Sequence, residues 1–156
     1  RGWDDRWETY SEWAEKGQAL KDELLTLVDK DTQSFEAVMA AFRIPKGTEA
    51  EKTQRSVAIQ AATKAAIAVP YRVMEVVSAI FPLCEAMAEM GLRASASDAG
   101  VGALCARAAV RGAYLNVQIN AAGLTDTPYK HKVLSDGQAL VDAADAAERK
   151  ILTMVA

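Results

Sequence analysis

Between residues 24 and 46 the apolar side chains recur three and four positions apart, a period that suits an α-helix and no β-strand. Plotted at about 100° per residue, Leu24, Leu27, Val28, Phe35, Val38, Met39 and Phe42 fall on one stripe roughly 120° wide. Asp29, Lys30, Gln33 and Glu36 project to the opposite side, where an amphipathic helix keeps its solvated face. Asp31 breaks the pattern, because it falls near the centre of the apolar stripe. A carboxylate buried there must be paired or hydrogen-bonded, or carry a raised pKa, since desolvation disfavours its charged form. It can be a structural group, capping a neighbouring helix or pairing with an arginine, or a perturbed acid of the kind used in general acid/base chemistry. Periodicity leaves both readings open.

The same spacing continues along the chain and no stretch alternates as a strand would. A helix over about residues 18–43 is entered past Gly17, which breaks or bends the passage, and it ends at Ile44-Pro45-Lys46-Gly47. Thr48 and Glu51 have the form of a capping box for a helix over about residues 49–68. Val69-Pro70 predicts a kink or a division; helix resumes over 71–90, with Pro82 as a second bend and Gly91 as C-cap. Ser97 or Asp98 is the expected N-cap of the next helix, which stops at Gly123. Thr125-Asp126-Thr127-Pro128 opens the last one, whose buried stripe is Val133, Gly137, Leu140, Ala144, Ala147 and Ile151. The expectation is an all-α fold: an antiparallel bundle of five or six helices with proline-bent members, forming one domain over residues 1–156. Residues 1–16 hold all three tryptophans, Trp3, Trp7 and Trp13, read as an aromatic clasp onto the body or as a stacking surface for a flat ligand.

One face of the helix that follows residue 97 is made of small residues, Gly102, Cys105, Ala109, Gly112 and Ala113, and ends in Asn116 and Asn120. Helix-interior glycine costs about 1 kcal/mol relative to alanine, so another helix or a ligand is expected against this face. Asn116 and Asn120, four apart, set two amides side by side, either to satisfy buried helix ends or to orient a ligand. Asp98 shares that side but stands about 27 Å from Asn116 along a continuous helix, so the two can meet in one site only across a symmetric dimer; capping is its other role. Lys46, in the loop after the Asp31 helix, is either a surface lysine or a cation for an anionic ligand tail.

Composition narrows the function classes. A net charge of −3 disfavours a phosphate-backbone partner, so nucleic acid is not expected. The richest apolar run, residues 65–69, ends at Pro70, far short of the roughly 20 residues of a membrane span. Cys84 and Cys105 form no C-x-x-C pair and read as reduced core thiols of a cytoplasmic protein. His131, the only histidine, points away from the buried stripe of its helix, so His-based triads and His-cluster metal sites are excluded. There is no signal-peptide pattern, and an Arg1 start reads as a piece of a longer chain.

Two separated blocks carry a resemblance. The first is L-V-D-K-D-T-Q-S-F at 27–35 with A-F-R-I-P-K at 41–46; the second is S-D-A-G-V at 97–101 with G-A-Y-L-N-V-Q-I-N at 112–120. Both resemble the cyclodeaminase/cyclohydrolase family, whose best known members are the C-terminal halves of formiminotransferase-cyclodeaminases. The family domain ordinarily begins with a further helical segment holding a P-G-G-G-S-like turn, which has no counterpart here. The resemblance implies an all-α dimeric domain that converts 5-formiminotetrahydrofolate to 5,10-methenyltetrahydrofolate and releases ammonia, a lyase step of histidine degradation. It also implies a folate substrate, which can be polyglutamylated, no resident cofactor or metal, and a formiminotransferase domain in the parent chain. The second aspartate of the L-V-D-x-D element, assigned to cyclodeamination in the family, is Asp31 here. Asn116 and Asn120 become candidate substrate-orienting amides, Lys46 a candidate for the glutamate tail, and Asp98 a further candidate contact. Methenyltetrahydrofolate cyclohydrolase is the alternative within the family, and a non-catalytic oligomerisation scaffold built on the face from Gly102 to Ala113 is the alternative outside it.

Overall fold

The computed structural model describes residues 4–156, and within them every regular element is a helix. Five α-helices follow one another: α1 Trp7–Arg43, α2 Glu49–Ser78, α3 Phe81–Met90, α4 Ala96–Ala122 and α5 Thr127–Val155, with 3-10 turns at Asp4–Arg6 and Arg93–Ser95. The fold is the all-α bundle that the spacing implies. Its centre is formed by Ile67 and Met74 of α2, Val110 and Val117 of α4 and Ile151 of α5, all fully buried.

Local chemistry sets most helix ends. At α2 the Thr48 hydroxyl accepts from the Glu51 amide at 3.2 Å while the Glu51 carboxylate accepts from the Thr48 amide at 2.9 Å, completing the capping box. These bonds, with a further one from the Gly47 amide, hold the Glu51 carboxyl below its ordinary pKa. Asp126 caps α5 through the Tyr129 amide and pairs with Lys64 of α2 at 2.5 Å; both contacts lower its pKa.

Three expectations need correction. Gly17 neither breaks nor bends the chain into separate helices: α1 runs through it, and a Cβ there would stand 3.0 Å from the Leu83 side chain, so the glycine makes room for α3. Pro70 does not divide α2, which continues from Glu49 to Ser78. The interruption comes at Ala79-Ile80, just ahead of Pro82, which sits in the first turn of α3 where its missing N–H costs nothing. Finally, Ser95 and not Ser97 or Asp98 precedes α4, without a side-chain cap, because the Arg93–Ser95 turn already leads the backbone into the helix.

Of the aromatic residues near the start, Trp3 lies outside the described residues. Trp7 is 61% exposed, so it clasps nothing. Attachment falls instead to Tyr10, whose hydroxyl donates to the Met90 carbonyl, and to half-buried Trp13, which carries Lys16 over its ring at 4.5 Å.

α4 and α5 make the tightest pairing. Gly137 admits the Tyr114 ring, which would lie 2.7 Å from a Cβ at that position, and the Tyr114 hydroxyl donates to the Leu134 carbonyl at 2.9 Å. At the edge of the pair the Arg107 and Arg111 guanidiniums converge on Asp145, with Nε to Oδ1 distances of 2.9 and 3.0 Å, and hold its carboxyl down at about 2. The α2–α3 stretch is long and apolar enough by composition to cross a membrane, with mean hydropathy 1.5. Here it supplies Met74, Val76, Val77, Phe81 and Cys84 to the buried core.

Candidate functional site

α1 and α4 both pack on α2 but hardly touch each other, so a cleft runs between them with α2 as its floor. Contacts between the helices fix how the walls face. Arg72 reaches Glu23 at 2.7 Å and Arg55 reaches the Phe42 carbonyl at 3.1 Å, so α1 and α2 are antiparallel and Asp31 comes abreast of about the Ala65 turn. Asn120 meets the Ala66 carbonyl, which brings the C-terminal part of α4 to the same level. Since Arg107 and Arg111 mark the edge of α4 that lies on α5, the opposite edge, Cys105, Ala109, Gly112 and Asn116, turns toward α1. On α1, Gly17 and Tyr10 face α3, and helical phase puts Val28, Asp31, Phe35 and Phe42 on that same side, looking into the cleft.

The sequence-derived candidates are therefore divided by the fold. By these pairings Asp31 on α1 and Asn116 and Asn120 on α4 come to a similar level along α2. Asp31 is exposed, contrary to the expected burial. Helical phase places it on the stripe, but no part of the chain closes over that stripe at its level. Its apolar neighbours are uncovered too: Val28 and Phe35 are each 63% exposed and Phe42 is 50% exposed. Asn116 is exposed and turns its Nδ2 back to the Gly112 carbonyl at 3.4 Å; Asn120 is half-buried and donates to the Ala66 carbonyl at 3.3 Å.

The small-residue face has two surroundings. Gly102 is backed by α3, with Cys84 Sγ 3.1 Å from where a Cβ would stand, whereas Gly112 has nothing within 4 Å. Cys105 is exposed, not a core thiol as its apolar neighbours imply, because it belongs to this uncovered edge; Cys84 is buried, and burial pushes its thiol pKa up.

Asp98 is exposed in the first turn of α4. It borders a largely apolar cavity of about 460 Å³ between α1, α3 and α4, together with Tyr10, Leu83, Cys84, Met87 and Leu92. Within one chain it is remote from Asn116, as helix length requires. Lys46 is exposed and shares a smaller cavity, about 250 Å³, with Lys52 and Arg55 of α2. Arg55 is the notable residue here that its sequence context hides among the charges of a solvated helix start. Its guanidinium donates twice to the Phe42 carbonyl and lies 5.4 Å over the Phe42 ring, so it is fixed at the end of the Asp31 stripe. The short loop after Arg43 is the available signal, since it folds α2 back along α1. Among the described residues no three His, Cys, Asp or Glu side chains converge as metal ligands.

A family model described as formiminotransferase-cyclodeaminase matches residues 1–139. The chain belongs to this family. Among formiminotransferase-cyclodeaminase relatives, the methenyltetrahydrofolate cyclohydrolase of Methylorubrum extorquens is 38% identical over 141 residues, 90% of this chain and 68% of that protein. The formimidoyltransferase-cyclodeaminase of Rattus norvegicus is 37% identical over 114 residues, 73% of this chain, and the match spans only 21% of that larger protein. The crystal structure of formiminotetrahydrofolate cyclodeaminase from Thermotoga maritima superposes with a TM-score of 0.84 at 24% identity, covering 99% of this chain and 73% of that one, which establishes the shared helical fold. Membership places the chain among folate one-carbon enzymes of the cyclodeaminase/cyclohydrolase type.

Proposed function

We propose that the α1–α4 cleft binds a reduced folate and catalyses ring closure of 5-formiminotetrahydrofolate to 5,10-methenyltetrahydrofolate with release of ammonia. What supports the reading is the similar level that the helix pairings give Asp31 on α1 and Asn116 and Asn120 on α4, in a chain of this family. In the reaction, N10 attacks the formimino carbon bound to N5, giving a tetrahedral carbon that carries an amino group. That amino group must be protonated before it leaves as ammonia, and N5 and N10 then share the new double-bond character. Asp31 is the proton donor and acceptor in this scheme, delivering a proton to the departing nitrogen. The two asparagine amides orient the ring system, Lys46 meets the glutamate tail, and no metal or redox cofactor is called for. Asp98 is the reserve acid, able to reach the site only from a second copy.

To act as an acid Asp31 needs a cover that excludes water, because desolvation favours the neutral form of a carboxyl. The uncovered apolar surface supplies a reason for such a cover. α4 carries large apolar side chains on its outer side, with Leu115 66% and Ile119 72% exposed, and such a patch is expected where a partner covers it. A second copy seated on the α1 and α4 faces would exclude water from Asp31. Light scattering on the purified chain at micromolar concentration is expected to give at least a dimer, and a monomer counts against this cover.

The second reading, favoured by the 38% identical cyclohydrolase relative, is hydrolysis of 5,10-methenyltetrahydrofolate to 10-formyltetrahydrofolate. Water then attacks the same carbon and the carbon–N5 bond breaks, so the same acid serves. The assay that separates them offers both substrates: ammonia release from the formimino compound supports the first reading, and decay of the methenyl chromophore above the uncatalysed rate supports the second. Neither activity, with no saturable folate binding, would leave a helical scaffold.

A further inference from the structure

Resting on the folate reading above, we propose that Pro70 is a positioning residue for the site, acting through Asn120: by withholding a backbone N–H it fixes the Asn120 amide so that its carbonyl oxygen faces the cleft. In an α-helix the carbonyl of residue 66 accepts from the amide of residue 70. At Pro70 that donor does not exist, yet α2 is continuous there and both Ala66 and Pro70 are buried. The missing bond is made from another helix, Asn120 Nδ2 donating to the Ala66 carbonyl at 3.3 Å.

That arrangement removes the usual ambiguity of an asparagine. A carbonyl can only be met by the NH2 end of the amide, so the planar group has one acceptable orientation, and Oδ1 points away from Ala66. Asn120 lies on the side of α4 turned toward α1, one helical turn beyond Asn116. Asn116 also spends its Nδ2 on backbone, at the Gly112 carbonyl. The outcome is two amides whose Cβ atoms lie about 5–6 Å apart on α4, each with its carbonyl oxygen left as an acceptor. Such a pair suits a flat heterocycle with several N–H donors along one edge, which a reduced aminopyrimidinone ring offers. Without Pro70 the helix would satisfy its own carbonyl and the Asn120 amide could rotate.

The experiment is Pro70→Ala, which restores the intrahelical donor. Expected are an unchanged or raised Tm, faster solvent exchange of the Asn120 side-chain amide protons by NMR, and a roughly tenfold weaker Kd for 5-formyltetrahydrofolate, a stable folate, by calorimetry. A purely structural proline would not lower affinity while keeping stability. Asn120→Ala is the second arm: it should lower the Tm of the parent chain more than that of the Pro70→Ala variant, and in the Pro70→Ala background should weaken binding little further. Parent-like affinity or parent-like protection of the amide in Pro70→Ala overturns the inference, as does an equal Tm loss in both backgrounds. If the parent chain itself fails to bind 5-formyltetrahydrofolate, the folate reading falls, and the inference falls with it; binding in the parent with no change in Pro70→Ala overturns the inference alone.

Discussion

The two sides of α4 contrast. Toward α5, Tyr114 fills the space that Gly137 leaves, its hydroxyl is bonded, and two arginines close over Asp145. Toward α1, Gly112 faces open space, Asn116 is exposed, and Asp31, Val28 and Phe35 stand opposite without cover. The first side is completed by the chain's own residues, so its chemistry is committed to stability. On the second, apolar and ionisable groups are brought together without satisfying one another, an arrangement that costs stability and is expected where a ligand or partner supplies the rest.

Substitutions on the open side should therefore change activity with little change in stability, and those on the closed side the reverse. The largest effect is expected at Asp31: Asp31→Asn should lower turnover at least about a hundredfold with the Tm unaltered, while Asp29→Asn, on the solvated face, should do almost nothing. Near-normal turnover in Asp31→Asn would remove it as the acid and direct attention to Asp98 across a subunit contact. Next comes Gly137→Ala, which drives a methyl group into the Tyr114 ring and should cost about 1–3 kcal/mol of unfolding free energy by urea titration. A loss under half of that would mean the pairing of α4 with α5 is looser than its geometry.

Gly112→Ala gives the mirror case. With open space around it and a better helix former in place, the chain at monomeric dilution should gain up to about 1 kcal/mol; a loss would show that Gly112 already has a neighbour. A similar magnitude attaches to Asp145. Its folded pKa, about 2, lies below its ordinary value near 3.8, so the stabilisation is present above about pH 4 and fades as pH falls toward 2. With Arg107 and Arg111 partly exposed, screening reduces the effect to about 1 kcal/mol. Asp145→Asn should flatten the acid limb of the stability curve by that amount, and an unchanged limb would separate the pair from acid unfolding. The smallest effect is expected at Lys46: Lys46→Ala should raise KM more for a polyglutamylated than for a monoglutamyl folate, and equal shifts would take the tail away from the Lys46, Lys52 and Arg55 cavity.

What could be read in the sequence follows the range of the interaction involved. Thr48 with Glu51, and Asp126 with Pro128, are local devices, so the starts of α2 and α5 were legible within a few residues. Pro70 was not, because its effect on α2 depends on an amide fifty residues downstream. Gly17 misleads for the same reason: its neighbour is Leu83. For Asp31 the burial was misread, since helical phase gives a side chain's bearing on its own helix and nothing about whether another element covers it. The paired amides were found from their spacing, but their different commitments, one to its own helix and one to α2, needed the packing of α4 on α2.

The placement of the tryptophans bears on how this protein can be observed. All three lie between residues 3 and 13, and the two described, Trp7 and Trp13, sit on the first turns of α1, which are held to the body chiefly through α3. Emission from Trp7 and Trp13 is thus a reporter of one corner of the molecule. A denaturation curve followed at the tryptophan band would register release of that corner and say little about α4 and α5, while far-ultraviolet circular dichroism would weigh all five helices by length. Disagreement between the two midpoints would be a measurement of how independently the start of α1 detaches.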